Sequence, residues 1–190
     1  MSTSPERRSF TAVAQVLHWT MAAMVLSMLG IGAAMVASPS RFHTLITLHR
    51  PLGLAVLGLV VVRFAYRLWN PPPPLPATVS RLERITATAS EYTMYGLMFA
   101  LPLVGWGMTS VARYPVVLIG SVYLPNVLPH DLALYALLRK AHTVLAYALV
   151  LLILGHVAAV LFHTLVVRDG MLWRMLPRRD RPRGRGVTPA

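Results

Sequence analysis

Seven histidines punctuate the chain: His18, His43, His49, His130, His142, His156 and His163. All but His43 and His130 fall in or at the ends of long apolar runs. A neutral imidazole offers one lone-pair nitrogen, so it can bind a transition metal, relay a proton or hydrogen-bond a neighbouring helix. Such a group is costly at membrane depth and tends to face the interior of a bundle. A hydrogen bond to Ser or Thr on another helix accounts for one histidine of this kind. It does not account for four matched in depth, and that match depends on the elements carrying them. His43 and His130 read as solvated loop residues.

The carriers are apolar runs. A helix rises about 1.5 Å per residue, so a hydrocarbon core of about 30 Å needs roughly 20 apolar residues. Four runs qualify, at about 12–37, 45–69, 90–111 and 132–167. The expected fold is an all-α membrane protein, one four-helix transmembrane domain with a basic tail over 168–190. Arg63 and Arg67, near the end of the second run, are expected to snorkel to the headgroups. "NPPPPLP" at 70–76 stops that helix and forms a stiff connector. In the third run Pro102 and Gly105 are the expected kink points. The stretch 112–131 carries Pro115, Pro125 and Pro129, too many for a span, and is expected to lie as a loop at the interface. The fourth run is longer than a bilayer needs, so one end projects or the helix tilts. The first is too long for a signal h-region and is expected to stay as a span.

Composition agrees. Hydrophobic residues make up 56% of the 190 and charged ones 13%, with a mean hydropathy of +0.59. Soluble domains carry about a quarter charged residues. The net charge of +12 could suit nucleic acid. Here, though, the arginines cluster at the ends of apolar runs and no basic face interleaved with aromatics appears. Lipid is the expected partner, and nucleic acid is not. Of the 18 Lys and Arg, the five in the first and third loops are Arg41, Arg50, Arg113, Arg139 and Lys140. The rest flank the other side, so the positive-inside rule puts both termini in the cytoplasm.

Topology then sorts the histidines. Span one enters from the cytoplasm with His18 about two turns in, and span four returns with His156 deep along it. These two share the inner half. His49, near the outer start of span two, and His142, near the outer start of span four, share the outer half. His142 and His156 are 14 residues apart, about 21 Å of rise, and return to one face within about 40°. Two opposed imidazoles in a greasy bundle suit a planar haem, with iron bound from both sides. Zinc would need about four ligands at one depth. Small residues near the pairs, such as Gly53, Ala146 and Gly155, leave room for flat rings. With no cysteine in the chain, disulfides, iron–sulfur ligation and covalent haem attachment are excluded. Two haems stacked across a membrane form an electron wire.

Several stretches carry a resemblance: "LHW" at 17–19, "LHRPLG" at 48–53, "VVRFAYRLWNPPPP" at 61–74, "LPLVGW" at 101–106, "KAHTVLAY" at 140–147 and "GHVAAVLFHTLVVRDGMLWRMLPRR" at 155–179. Over about 10–180 the chain resembles the bacterial cytochrome b561 family, four-helix di-haem b-type cytochromes of the inner membrane, and within it the superoxide oxidase type. The resemblance implies two haem b, with His18 and His156 on the inner iron and His49 and His142 on the outer. It also implies oxidation of superoxide at the periplasmic face and reduction of ubiquinone near the cytoplasmic end of span four, with His163 contributing. His163 could be a structural histidine, an interfacial anchor or the proton donor to reduced quinone. Arg168 and Asp169 read as an ion pair of the tail. A basic outer surface, led by Arg139 and Lys140, suits steering of a small anion. Two rivals stand: a b-type membrane subunit passing electrons between quinol and a partner redox protein, and a haem-free transporter with a histidine proton relay.

Overall fold

A computed structural model of the chain describes residues 9–75, 79–119 and 122–176. Arg7, Arg8, Pro76 and the part of the basic tail beyond residue 176 lie outside the described residues. Four long helices dominate: α1 (Ala12–Ala37), α2 (Phe42–Trp69), α3 (Arg81–Val111) and α4 (Leu132–Phe162). Each is long and apolar enough to cross a membrane. The four-helix transmembrane fold expected from the apolar runs is the one observed.

Side-chain caps set where helices start. Thr11 accepts a hydrogen bond from the Ala14 N–H, and Asp131 accepts one from the Leu134 N–H. Each satisfies an N–H that the first helical turn leaves without a partner. At α3, Ser80 and Glu83 form a reciprocal capping box. This box starts α3 nine residues before the apolar run, so its first polar turns extend the helix beyond the apolar stretch. Pro51 and Pro102 lie inside α2 and α3, and neither helix is interrupted.

The stretch 112–131 differs from the expected loop. It holds a small antiparallel hairpin, β1 (Val117–Ile119) with β2 (Val122–Tyr123), Val117 opposite Tyr123. Pro115 and Pro125 flank the β-branched run and do not break it, which is where a hairpin tolerates proline. The segment is fastened to the end of α3. The Trp106 indole donates to the Pro125 carbonyl (3.1 Å), the Ser110 hydroxyl accepts from the Leu128 N–H (2.9 Å), and His130 Nδ1 donates to the Val111 carbonyl (2.8 Å). His130 is therefore a helix-end cap as well as a solvated loop residue.

Consecutive helices pack side by side, whereas the backbones of α1 and α4 stay mostly beyond 8 Å of each other. The core is a mid-depth plug: Met21 and Val25 from α1, Val56 and Val60 from α2, Tyr95, Leu97 and Met98 from α3, and Leu149 from α4. Only 6% of the most apolar stretch of α4 is buried. Leu137, Val144, Leu151 and Leu154 face outward, as the lipid-facing side of an integral membrane protein requires. Lipid is as apolar as these side chains, so close packing of the plug, more than the hydrophobic effect, holds the helices together. Both ends of the described chain meet on one side of the bundle, where the Phe10 N–H donates to the Arg174 carbonyl (3.1 Å).

Candidate functional site

Two pairs of imidazoles lie above and below the plug. At the end of the bundle carrying the termini, the rings of His18 (α1) and His156 (α4) have centroids 6.4 Å apart. At the opposite end, those of His49 (α2) and His142 (α4) are 6.3 Å apart. α4 contributes to both because 14 residues bring its stripe back to nearly the same face. Leu149, midway between its two histidines, belongs to the plug. His18, His49 and His142 are half-buried, and His156 borders the open side between α1 and α4.

The spacing can be tested against a shared iron. A metal–imidazole bond is about 2.0 Å, so two opposed nitrogens on one metal stand about 4 Å apart. Adding about 1.1 Å from each nitrogen to its ring centre gives about 6.2 Å, close to both observed separations. Among the described residues His49 Nδ1 is buried with no hydrogen-bond partner, the kind of orphan polar atom that native structures rarely leave unexplained, whereas the Leu101 backbone lies within hydrogen-bonding reach of His142. Glycines border these rings. A Cβ at Gly32 on α1 would come within 3.8 Å of His49, and one at Gly105 on α3 within 3.6 Å of His142. The residues present fit a b-type haem between each pair, with one adjustment at the His18/His156 pair. Arg63 Nη2 lies 2.9 Å from His18 Nδ1. Guanidinium can only donate, so this contact puts the proton of neutral His18 on Nε2. If His18 were to hold iron through Nε2, its proton would sit on Nδ1 and Arg63 would have to release that nitrogen.

Arg63 and Arg67 do not snorkel. Arg63 turns inward to His18 and lies over the Tyr95 ring (5.5 Å). Arg67 is clasped by Glu91 of α3 at 2.6 and 2.7 Å and lies over Tyr92. At membrane depth a cation gains more from a fixed carboxylate or ring than from reaching for the headgroups.

The same end holds His163. α4 loosens there into a π turn, His163–Val167, followed by Arg168 in the left-handed region (φ 57°). The reversal returns Asp169 to His163, Oδ2 to Nδ1 at 2.7 Å. Both side chains are buried, 11% and 2% exposed. The expected Arg168–Asp169 tail pair is thus replaced: Arg168 Nε donates to the Leu165 carbonyl, and Asp169 turns inward to the imidazole. With this left-handed backbone the Arg168 side chain is exposed while that of Asp169 is buried. Below lies the tail. The Gln15 amide donates to the carbonyls of Phe10, Arg174 and Leu176, and the Trp19 indole to that of Met175.

At the opposite end Arg41, Arg113, Arg139 and Lys140 are exposed. Arg50, next to His49, is half-buried, stacked on Tyr114 at 5.1 Å, with its Nε unpartnered among the described residues. Sequence reasoning missed the inward roles of Gln15, Glu91 and Asp169. Acids are scarce, six in the chain. Glu91 and Asp169 beside apolar runs were a usable signal, since an ionisable group at membrane depth is functional or paired.

A family model described as prokaryotic cytochrome b561 matches residues 9–178. Cytochrome b561 homolog 2 of Escherichia coli (strain K12) is 29% identical over 177 residues, covering 91% of this chain and 93% of that protein. A protein named probable superoxide oxidase CybB, from Yersinia pestis, is 27% identical over 132 residues, 70% of this chain and 74% of its own. Cytochrome b561 homolog 1 of the same E. coli strain is 30% identical over 109 residues, 57% of this chain and 58% of its own. With nearly the whole chain matched and four spans built around facing histidines, this protein belongs to the prokaryotic cytochrome b561 family of haem-binding, electron-transferring membrane proteins.

Proposed function

We propose that the chain is a superoxide:ubiquinone oxidoreductase of the inner membrane, with both termini cytoplasmic. The observation that carries the electron-transfer part is the stacking of two imidazole pairs, each spaced for one metal between them. One-electron Fe(III)/Fe(II) chemistry is what two b haems supply when bound between His18 and His156 and between His49 and His142. The choice of superoxide is supported by the relative named as a probable superoxide oxidase and by the exposed cations of the His49/His142 end.

The chain's own groups divide the work. Arg139 and Lys140, on the first turns of α4 just before His142, draw a small anion toward the outer pair. The plug from Met21 to Leu149 excludes water between the two pairs. His163, at the quinone side, delivers protons. Two superoxide anions lose one electron each to become two dioxygen molecules, and one ubiquinone takes those two electrons and two protons to become ubiquinol. A reduced-minus-oxidised spectrum of the purified protein tests the first part, and a missing b-type α-band would end the di-haem reading. Stopped-flow mixing with superoxide tests the donor. Haems that stay oxidised with superoxide yet are reduced by quinol would favour a membrane subunit serving a partner redox protein.

A further inference from the structure

Asp169 has no part in the scheme above, yet the chain is bent to bring it to His163. Three local features cooperate. The π turn His163–Val167 adds a residue to the end of α4, a feature frequent at functional sites. Arg168 then takes a left-handed backbone, which side chains other than Gly, Asn and Asp seldom adopt. Gly170 (φ 74°) completes the reversal. The product is a buried carboxylate with both oxygens engaged: Oδ2 with His163 Nδ1 at 2.7 Å, and Oδ1 accepting from the Met171 N–H at 3.0 Å. The Phe162 ring stands edge-on to the imidazole. From the neighbouring helix, Glu83 in the first turn of α3 is a charged group within electrostatic reach of both.

We infer that Asp169 is a positioning residue for His163, holding a proton on Nδ1 so that Nε2 is the nitrogen that exchanges protons with the quinone. A carboxylate can only accept, so the 2.7 Å contact requires a hydrogen on Nδ1. Neutral His163 then keeps its lone pair on Nε2. It takes a proton from water there to become imidazolium and passes that proton to a quinone oxygen. Each cycle restores the Nδ1–H form. Two such deliveries match the two electrons of ubiquinol formation. This inference rests on the quinone-side reading of His163 given above.

Asp169→Asn is a sharp test because the geometry fixes how the amide sits. The Met171 N–H needs an acceptor, so the amide oxygen takes the Oδ1 place and the NH2 group faces Nδ1. That NH2 donates, which moves the proton of neutral His163 to Nε2 without changing the shape of the side chain. Nε2 can then still hydrogen-bond a quinone but can no longer accept a proton.

The measurement is nitrogen NMR of 15N-histidine-labelled, dithionite-reduced holoprotein in nanodiscs, at about pH 8.5, where free imidazole is neutral. The His163→Gln variant identifies the resonance. The expected result is Nδ1–H in the wild type and Nε2–H in Asp169→Asn. In parallel, the limiting rate of haem reduction by a short-chain ubiquinol should fall about a hundredfold in Asp169→Asn. The half-saturating quinol concentration should stay within about twofold and the haem content should be unchanged. An Nε2–H tautomer in the wild type overturns the inference by itself, whether or not the variant folds. So does an Asp169→Asn protein with wild-type tautomer or wild-type limiting rate. A wild-type protein that shows the Nδ1–H form but exchanges no electrons with ubiquinol would instead overturn the quinone reading of His163.

Discussion

At the scale of single residues, the imidazole pairs and the polar groups around them have different origins. That His18 faces His156 and His49 faces His142 could be read from sequence, because span direction and helix rise fix depth before any side chain is placed. Arg63, Glu91 and Asp169 could not be read that way. Each depends on which way one side chain turns, and for Asp169 on a left-handed backbone at its neighbour. Alanine at His142 should remove one haem and leave about half the b-type absorbance, whereas alanine at His163 should leave both, as a pyridine haemochrome assay will show. A haem lost from the His163 variant would mean the pairing is wrong. Glu91→Gln leaves the Arg67 guanidinium without its carboxylate. Both groups are partly exposed, so the expected loss is about 1–2 kcal/mol, less than for a fully buried pair. A lower thermal midpoint in detergent, with Arg67→Met in the same background recovering part of it, checks this.

At the scale of elements, apolar length and proline placement were enough to set out four helices. Their starts depend on caps that hydropathy ignores. The Ser80–Glu83 box carries α3 nine residues beyond its apolar run, and Asp131 starts α4. Asp131→Ala should cost about 1 kcal/mol and increase hydrogen exchange at Leu134 and Tyr135, with little change at His156. The hairpin in 112–131 was hidden because three prolines outweighed a short β-branched run. Its hold on α3 comes through Trp106, Ser110 and His130, contacts that are local in space and 18 or 19 residues apart in sequence.

At the scale of the whole molecule, charge is distributed unevenly between the ends. If the end bearing Arg139 and Lys140 gathers superoxide, its rate constant should fall steeply with ionic strength, because screening shortens the reach of surface charge to about 8 Å at physiological salt. Replacing both residues with Gln should slow the reaction at low salt by about tenfold and leave the rate at high salt nearly unchanged. Equal slowing at both would point to a local structural effect. The other end has a different property. Its floor is made by the tail, stitched through the Gln15 amide and Trp19 indole to Phe10 and to residues 174–176. Chains are made from the N-terminus, so α1 waits in the bilayer through the synthesis of α2, α3 and α4 before that floor can exist. Until then the Gln15 amide and the Trp19 indole wait without the carbonyls of residues 174–176, so the two ends of the described chain can close on each other only as the last contact of the bundle.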